Sequence, residues 1–226
     1  MDYKNNLRSP SVQVPLIIAP FNVPRFPSSA GMTVTAPTSH IDILPTLMDL
    51  AGAATPAEAR GQSLVPLMAP PGASAAAPRR DYVVAEYHSN LGSTGSFMIR
   101  TARWKLITFG HTFAWFNETA YTPQLFDLDA DPLELADVSA ANPGVVATLF
   151  ATLEAELGGA GAIAAIDETQ FARNYGNFDS VWGNLSAAAL EAVFTATFKN
   201  VTGGPAAIMR SANAWIAASK GLRERL

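Results

Sequence analysis

Two side chains in this sequence combine the types and the spacing needed to handle a proton or an anion. Glu86 and His88 stand two apart in a β-branched and aromatic run, Tyr82 to His88, so a strand puts both on one face. Such a face could line a polar pocket. The stretch that follows, Ser89 to Ser96, is small and polar with two glycines, as the rim of a polar pocket would be. From the residues alone, a histidine satisfied by a neighbouring carboxylate at a sheet edge is the better reading of the pair. Lys4 precedes an apolar run, and a lysine at the end of a sheet reaches an anion as a compact point charge. Asp127, Asp129 and Asp131 alternate like the first three ligands of an EF-hand loop. Pro132 stands where that loop needs glycine, however, and Val138 where it needs a bidentate glutamate, so a solvated turn is the better reading and no metal site is expected. His40 falls in the first turn of a helix and His111 in a loop, neither with a ligand set beside it. No Gly-x-Ser-x-Gly elbow, phosphate-binding Gly-Lys-Ser/Thr loop or His-Glu-x-x-His helix occurs.

The elements that must position these groups follow from the patterning. Val12 to Ala19 is nearly continuous in apolar residues and closed by Pro20, which predicts a strand buried on both faces of a parallel sheet. Ser39 to Asp42 reads as a capping-box helix start, with Ser as N-cap and Asp at N3. The helix it opens is apolar on two adjoining faces, through Ile41, Leu44 and Met48 and through Ile43, Leu47 and Leu50, and so is expected to be mostly covered. Gly52 is a natural C′ stop. Pro45 predicts a kink, or a second helix start with proline at N1. Tyr82 to His88, Phe97 to Thr101, Trp104 to Phe109 and Gln124 to Leu128 predict a small antiparallel sheet. Asn142-Pro143 opens a helix whose Val146, Leu149, Phe150, Leu153 and Leu157 share a face, and Gly158-Gly159 closes it. Ala69 to Ala77 is a flexible boundary rich in Pro, Ala, Gly and Ser. Ala187 to Lys199 and Pro205 to Lys220 read as further helices.

Composition narrows the function classes. Of 226 residues 49% are hydrophobic and 15% charged, the balance of a packed globular protein with a sizeable core. The net charge of −4, with no basic cluster longer than Arg79-Arg80, argues against nucleic acid or acidic membranes as partners. The absence of cysteine removes disulfides and thiolate metal sites from the segment. The first six residues lack the apolar core of a signal peptide, and the longest apolar runs fall short of the ~20 residues of a membrane span. Sequons at Asn117, Asn184 and Asn200 would suit a secretory protein.

The block Ser39 to Gly52, Ser-His-Ile-Asp-Ile-Leu-Pro-Thr-Leu-Met-Asp-Leu-Ala-Gly, resembles a signature of the sulfatase family. Val14-Pro15-Leu16-Ile17-Ile18 stands where that family has the strand preceding the signature. Lys4, ten residues earlier, stands where the family carries a sulfate-contacting lysine. Gly61-Gln62-Ser63-Leu64-Val65-Pro66-Leu67, Arg100-Thr101 with Trp104-Lys105-Leu106-Ile107, and Leu125-Phe126-Asp127-Leu128 with Asp131-Pro132-x-Glu134 are similar to the C-terminal half of sulfatases in order and spacing. Ala85-Glu86-Tyr87-His88, Met98 to Thr101 and Gln170-Phe171 resemble the arylsulfatase K branch. The resemblance is dense from Lys4 to Leu157.

That resemblance implies an α/β fold: the C-terminal part of an alkaline phosphatase-like sulfatase fold, with a small domain of antiparallel sheet plus helix. The implied division is 1–68 for the end of the main domain, 69–80 for a flexible loop, 81–160 for the small subdomain and 161–226 for a helical extension. The implied activity is hydrolysis of sulfate esters of sulfated sugars or aryl sulfates, by a formylglycine hydrate bound to calcium. The nucleophile comes from a Cys/Ser-x-Pro-x-Arg motif, which this sequence lacks. The nucleophile and the calcium ligands are therefore expected upstream of Met1, in a missing N-terminal half, and the chain alone is expected to be inactive. Lys4 is the implied catalytic residue, binding sulfate oxygens and stabilising the leaving group, and His88 and Glu86 are implied to border the substrate cleft. Arg8-Ser9 stand where the family usually has Tyr-Glu. The implied location is lysosomal or secreted. Two other readings stay open: a non-catalytic carbohydrate- or partner-binding remnant, and a phosphodiesterase or phosphonate hydrolase of the same superfamily.

Overall fold

A computed structural model describes residues 6–19, 31–68, 79–88, 95–110 and 122–170. Lys4, His111, the three sequons, the whole Ala69–Ala77 boundary and the two C-terminal helix expectations lie outside those residues. The chain divides into two compact units. One comprises Met1–Ala85, Met98–Ile107 and Gln124–Leu153, the other Glu86–Phe97, Thr108–Pro123 and Glu154–Leu226.

Four strands, β1 (Val83–His88), β2 (Gly95–Arg100), β3 (Trp104–Phe109) and β4 (Gln124–Asp127), form one sheet in the order of the sequence. Each lies within about two residues of its expected bounds, because runs of Val, Ile, Phe and Trp separated by turn residues favour short pleated segments. In the β2–β3 turn the Thr101 N–H donates to the Trp104 carbonyl at 2.8 Å, and the Trp104 N–H to the Thr101 hydroxyl at 2.9 Å. β3 and β4 are antiparallel, with Lys105 opposite Phe126 and Leu106 opposite Leu125. β2 and β3 carry unbroken buried runs and so are covered on both faces, whereas β1 is an edge strand of intermediate exposure.

The helix α4 (Pro143–Leu157) begins and ends where Asn142-Pro143 and Gly158-Gly159 place it, and buries Leu149 and Leu153. Its closing N–H, from Gly159, reaches back to the Glu154 carbonyl at 2.7 Å, a C-terminal arrangement that glycine's positive φ permits. A further helix, α5 (Ala162–Gln170), follows. Sequence patterning did not separate it from the Gly/Ala-rich stretch around it. Among the described residues no single helix is long and apolar enough to cross a membrane.

In the first unit, α1 (Ser9–Val12) is a single turn. A 3₁₀ turn, His40–Asp42, leads into α2 (Ile43–Ala51), and α3 (Val65–Met68) follows. The capping box forms as expected, with the Ser39 N–H donating to Asp42 Oδ2 at 3.0 Å. The change from 3₁₀ to α geometry answers the proline question. Pro45 sits in the first turn of α2, where its missing N–H costs no helical hydrogen bond. Gly52 ends α2 in the left-handed conformation, φ 67°.

Asp42 is the centre of this region. Its carboxylate has no exposed surface and accepts from the Ser39 N–H, the Gln62 N–H at 2.9 Å, Arg79 Nη2 at 2.7 Å and Arg80 Nη2 at 2.9 Å. Arg79 also donates to the carbonyls of Gln62 and Ser63, both at 3.1 Å. Thr46 Oγ1 donates to the Asp42 carbonyl and accepts from the Leu64 N–H. Three segments far apart in sequence are thereby tied to one carboxylate.

Two expectations fail. Residues 13–19 are not a buried strand: no strand of the described sheet pairs with them, and Val14, Leu16, Ile17 and Ile18 are exposed, Ile17 by 85%. The α2 helix is not mostly covered either, since Ile41, Ile43, Leu44 and Leu47 all face solvent, Leu47 by 58%. The physical reason is common to both. A strand needs neighbours for its ladder and an apolar face needs a second surface, and no described residues supply either. Each such side chain forgoes part of the ~1.5–3 kcal/mol that full burial would contribute, Ile17 most of it.

Gly61 gives a sharp test of the Asp42 region. A Cβ there would overlap the Ile41 carbonyl, whereas one at Gly144 meets nothing within 4 Å. Gly61→Ala should destabilise by ~1–3 kcal/mol through forced backbone movement, and Gly144→Ala should be neutral or slightly stabilising. Chemical denaturation of the two variants side by side decides this; equal midpoints would mean that the close approach at Gly61 is not a constraint.

Candidate functional site

The β1 edge brings Glu86 and His88 together as strand alternation requires. His88 Nε2 lies 3.2 Å from Glu86 Oε2, with the imidazole mostly covered and the carboxylate half exposed. Glu86 thus engages Nε2, and Nδ1 is the ring's other polar atom. The ring stands edge-on to Phe97, centroids 5.4 Å apart at 82°. Its remaining flank lies against Gly95, where a Cβ would come within 2.5 Å of His88 Cε1 and 2.6 Å of Nδ1. Three neighbours thus set the imidazole's orientation, and the exposed carboxylate beside it offers hydrogen-bond acceptors to a hydroxylated ligand. Lys4, the third residue selected from sequence, lies outside the described residues, and Leu7, three positions on, is buried.

A second polar constellation was missed by sequence reasoning. Lys105 has no exposed surface and Glu134 only 2%, and Lys105 Nζ meets Glu134 Oε1 at 2.9 Å. The same carboxylate accepts from the Ser9 hydroxyl and from the Ser9 N–H at 3.2 Å. Arg8 donates through Nη1 to the Glu134 carbonyl, and its guanidinium lies 4.3 Å from the Phe126 ring centroid. Arg8-Ser9 is therefore what docks this segment. Glu134 adopts φ 59°, the one positive φ among described non-glycine residues, a conformation that costs ~1–2 kcal/mol for an L-residue. The available signal was a charged residue inside the buried run of β3.

Burial pushes the Lys105 ammonium below the ordinary lysine value, although Glu134 pulls it upward. Burial pushes Glu134 up, but the hydrogen bonds from Ser9 and Lys105 and the charge of Lys105 outweigh it, leaving the carboxyl below its ordinary value. Neither group reaches solvent, so the network's work is structural.

Two of the alternating aspartates are engaged by protein donors. Asp127 is held by Arg103 through Nε at 3.1 Å and Nη2 at 2.7 Å, and these contacts keep its carboxyl below the usual range. Asp131 accepts from the Ala136 N–H at 2.8 Å. Among the described residues no group of three or more His, Cys, Asp or Glu is arranged to hold a metal ion. An open groove of about 490 Å³ is lined by Ser9, Pro10, Gln13, Val14, Pro15, Pro132 and Leu133, with no ionisable side chain to act on a ligand.

Residues 3–159 match the family described as N-sulphoglucosamine sulphohydrolase, C-terminal. Arylsulfatase K of Danio rerio is 33% identical over 143 residues, 63% of this chain and 25% of that protein. Arylsulfatase K of Homo sapiens is 30% identical over 150 residues, 65% and 26% respectively. Among solved structures, a 2-O GAG sulfatase is 27% identical with a TM-score of 0.39, covering 62% of this chain and 26% of the other. The phosphonate monoester hydrolase of Agrobacterium radiobacter is 26% identical with a TM-score of 0.39, covering 53% and 24%. The chain spans about a quarter of the length of the curated relatives it matches.

The Lys105–Glu134 pair sets an acid limit. Glu134 titrates below its ordinary value of 4.5 in the folded chain, so its stabilisation is complete above that value and is lost as pH falls through the folded-state value. Denaturation midpoints followed from neutral pH downward should fall for the parent chain and fall less for Glu134→Gln. At neutral pH that variant should already be weaker by ~3–5 kcal/mol, because Lys105 is left buried without its counter-charge. Adding Lys105→Met should recover much of the loss; a Glu134→Gln protein as stable as the parent would remove the pair from this account.

Proposed function

The chain belongs to the sulfatase family, matching its N-sulphoglucosamine sulphohydrolase C-terminal domain over residues 3–159, and we propose that it forms the C-terminal part of an arylsulfatase K-like sulfuric ester hydrolase. The observation that carries this reading is the family match, over the same stretch, Lys4 to Leu157, in which the ordered blocks of the sequence are dense. The α/β sulfatase fold, with its small antiparallel sheet and helix, belongs to that membership. The substrate class is a sulfated sugar or an aryl sulfate.

In this reading Lys4 contacts the sulfate oxygens and offsets charge on the leaving oxygen, a role in which a fixed cation acts most strongly at the transition state. Glu86 and His88 contact the sugar or aryl portion: the carboxylate accepts from hydroxyls, and the oriented imidazole offers a defined donor or acceptor. Calcium does not fit the described residues. Asp127 is committed to Arg103, Asp131 to a backbone N–H, and no other cluster stands in their place. The ion and the formylglycine nucleophile would come from polypeptide upstream of these residues. The same upstream polypeptide is the partner that would cover residues 13–19 and the apolar face of α2; the exposed Val14, Ile17, Leu44 and Leu47 support that assignment. A lysosomal or secreted location goes with the family reading.

A chimera tests the proposal directly. The 226 residues would replace the matched C-terminal quarter of Danio rerio arylsulfatase K, and turnover of an aryl sulfate would be measured. The chimera should be active, Lys4→Ala should lower kcat by ~10²–10³-fold, and Glu86→Gln and His88→Ala should chiefly raise KM. Full activity in Lys4→Ala would remove Lys4 from the chemistry. A folded chimera without turnover, but still binding a sulfated sugar, would favour the non-catalytic remnant.

A further inference from the structure

In the second unit a buried carboxylate from outside the sheet reaches the residues that back His88. Asp167, on α5, is only 2% exposed, as is Ile163 one turn earlier on the same helix face. Asp167 Oδ1 accepts from the Gly95 N–H at 2.6 Å, a short charge-assisted bond. The Gly95 carbonyl accepts from the Gly110 N–H at 3.0 Å. A Cβ on Gly110 would overlap the Asp167 carboxyl group, and one on Gly95 would press on the His88 ring and the Phe97 edge. The two glycines are thus sites of close approach: Gly110 admits the carboxylate, and Gly95, held by that carboxylate, admits the imidazole.

We propose that Asp167 is a positioning residue for the Glu86–His88 face, acting through Gly95. The ring's orientation has three supports: Glu86 at Nε2, Phe97 at its edge and Gly95 along the Nδ1–Cε1 side. The first two come from the sheet itself. The third, Gly95 at the start of β2, has its N–H held by Asp167 of α5, so a helix outside the sheet helps fix how His88 is presented. The consequence for substrate binding rests on the reading that Glu86 and His88 contact a sulfated sugar; the positioning of the ring does not.

The test uses the 226-residue chain, with two readouts: the His88 ring and Gly95 amide resonances, and the affinity for a sulfated glucosamine. Asp167→Ala should move both sets of resonances and weaken binding about tenfold. Asp167→Asn, which keeps an acceptor at Oδ1, should restore both. Ile163→Val, which loosens the same helix without touching Gly95, should lower thermal stability and leave the His88 resonances in place. Should Asp167→Ala fail to fold, Gly110→Ala, which drives the carboxylate off Gly95, carries the same expectations. Unmoved His88 resonances in Asp167→Ala, or equal movement in Ile163→Val, overturn the proposal, and an Asp167→Asn protein that behaves like the alanine variant overturns the hydrogen bond as its agent. If the parent chain does not bind the sulfated glucosamine, the substrate reading falls, while the resonance comparison still decides the positioning role.

Discussion

The buried carboxylate of Asp42 is the constraint on which the first unit's described architecture depends. An unpaired charge in that position would be untenable, so the chain must deliver four donors to it at once: two backbone N–H groups and two guanidinium groups. Satisfying that demand joins the start of α2, the Gly61–Ser63 segment and Arg79-Arg80 in one geometry. Gly61 belongs to the same demand, since the segment carrying the Gln62 N–H must run against the Ile41 carbonyl. The block most recognisable in the sequence, Ser39 to Gly52, therefore contains the residue that organises its surroundings.

Glu134 repeats the device with different parts. Its partners Ser9 and Lys105 lie 125 and 29 residues away, so the contact closes only after the chain has come together. Such pairs add little net stability over a well-packed apolar alternative, yet breaking one partner is costly. Their value here is registry: Lys105 on β3 and Arg8-Ser9 at the entry of the chain are held in a single relation.

Legibility followed the range of the interactions. The four strands and α4 were readable because their signals are local: β-branched and aromatic runs, Asn142-Pro143 at one helix end, Gly158-Gly159 at the other. The Ser39–Asp42 capping box and the Gly52 stop are local in the same sense. Residues 13–19 misled because their composition reports a burial that only a neighbouring surface can supply, and no described residue supplies it. The Glu86–His88 pair was visible through the two-residue strand period. Its backing by Gly95 and Asp167, 72 residues apart, was not, and neither was the Lys105–Glu134 pair. α5 lies inside the helical extension expected for 161–226, but its bounds were not readable, because alanine and glycine around it leave no clear apolar stripe.

Position 134 is asked for two incompatible things. Its backbone conformation is one that glycine or asparagine adopts with least strain, while its neighbours require a carboxylate on an arm long enough to meet both Ser9 and Lys105. Few replacements can answer both at once. Drift at this site is therefore tied to drift at position 105, whose buried ammonium depends on the same carboxylate, more tightly than to position 9, where a hydroxyl and a backbone N–H do the work.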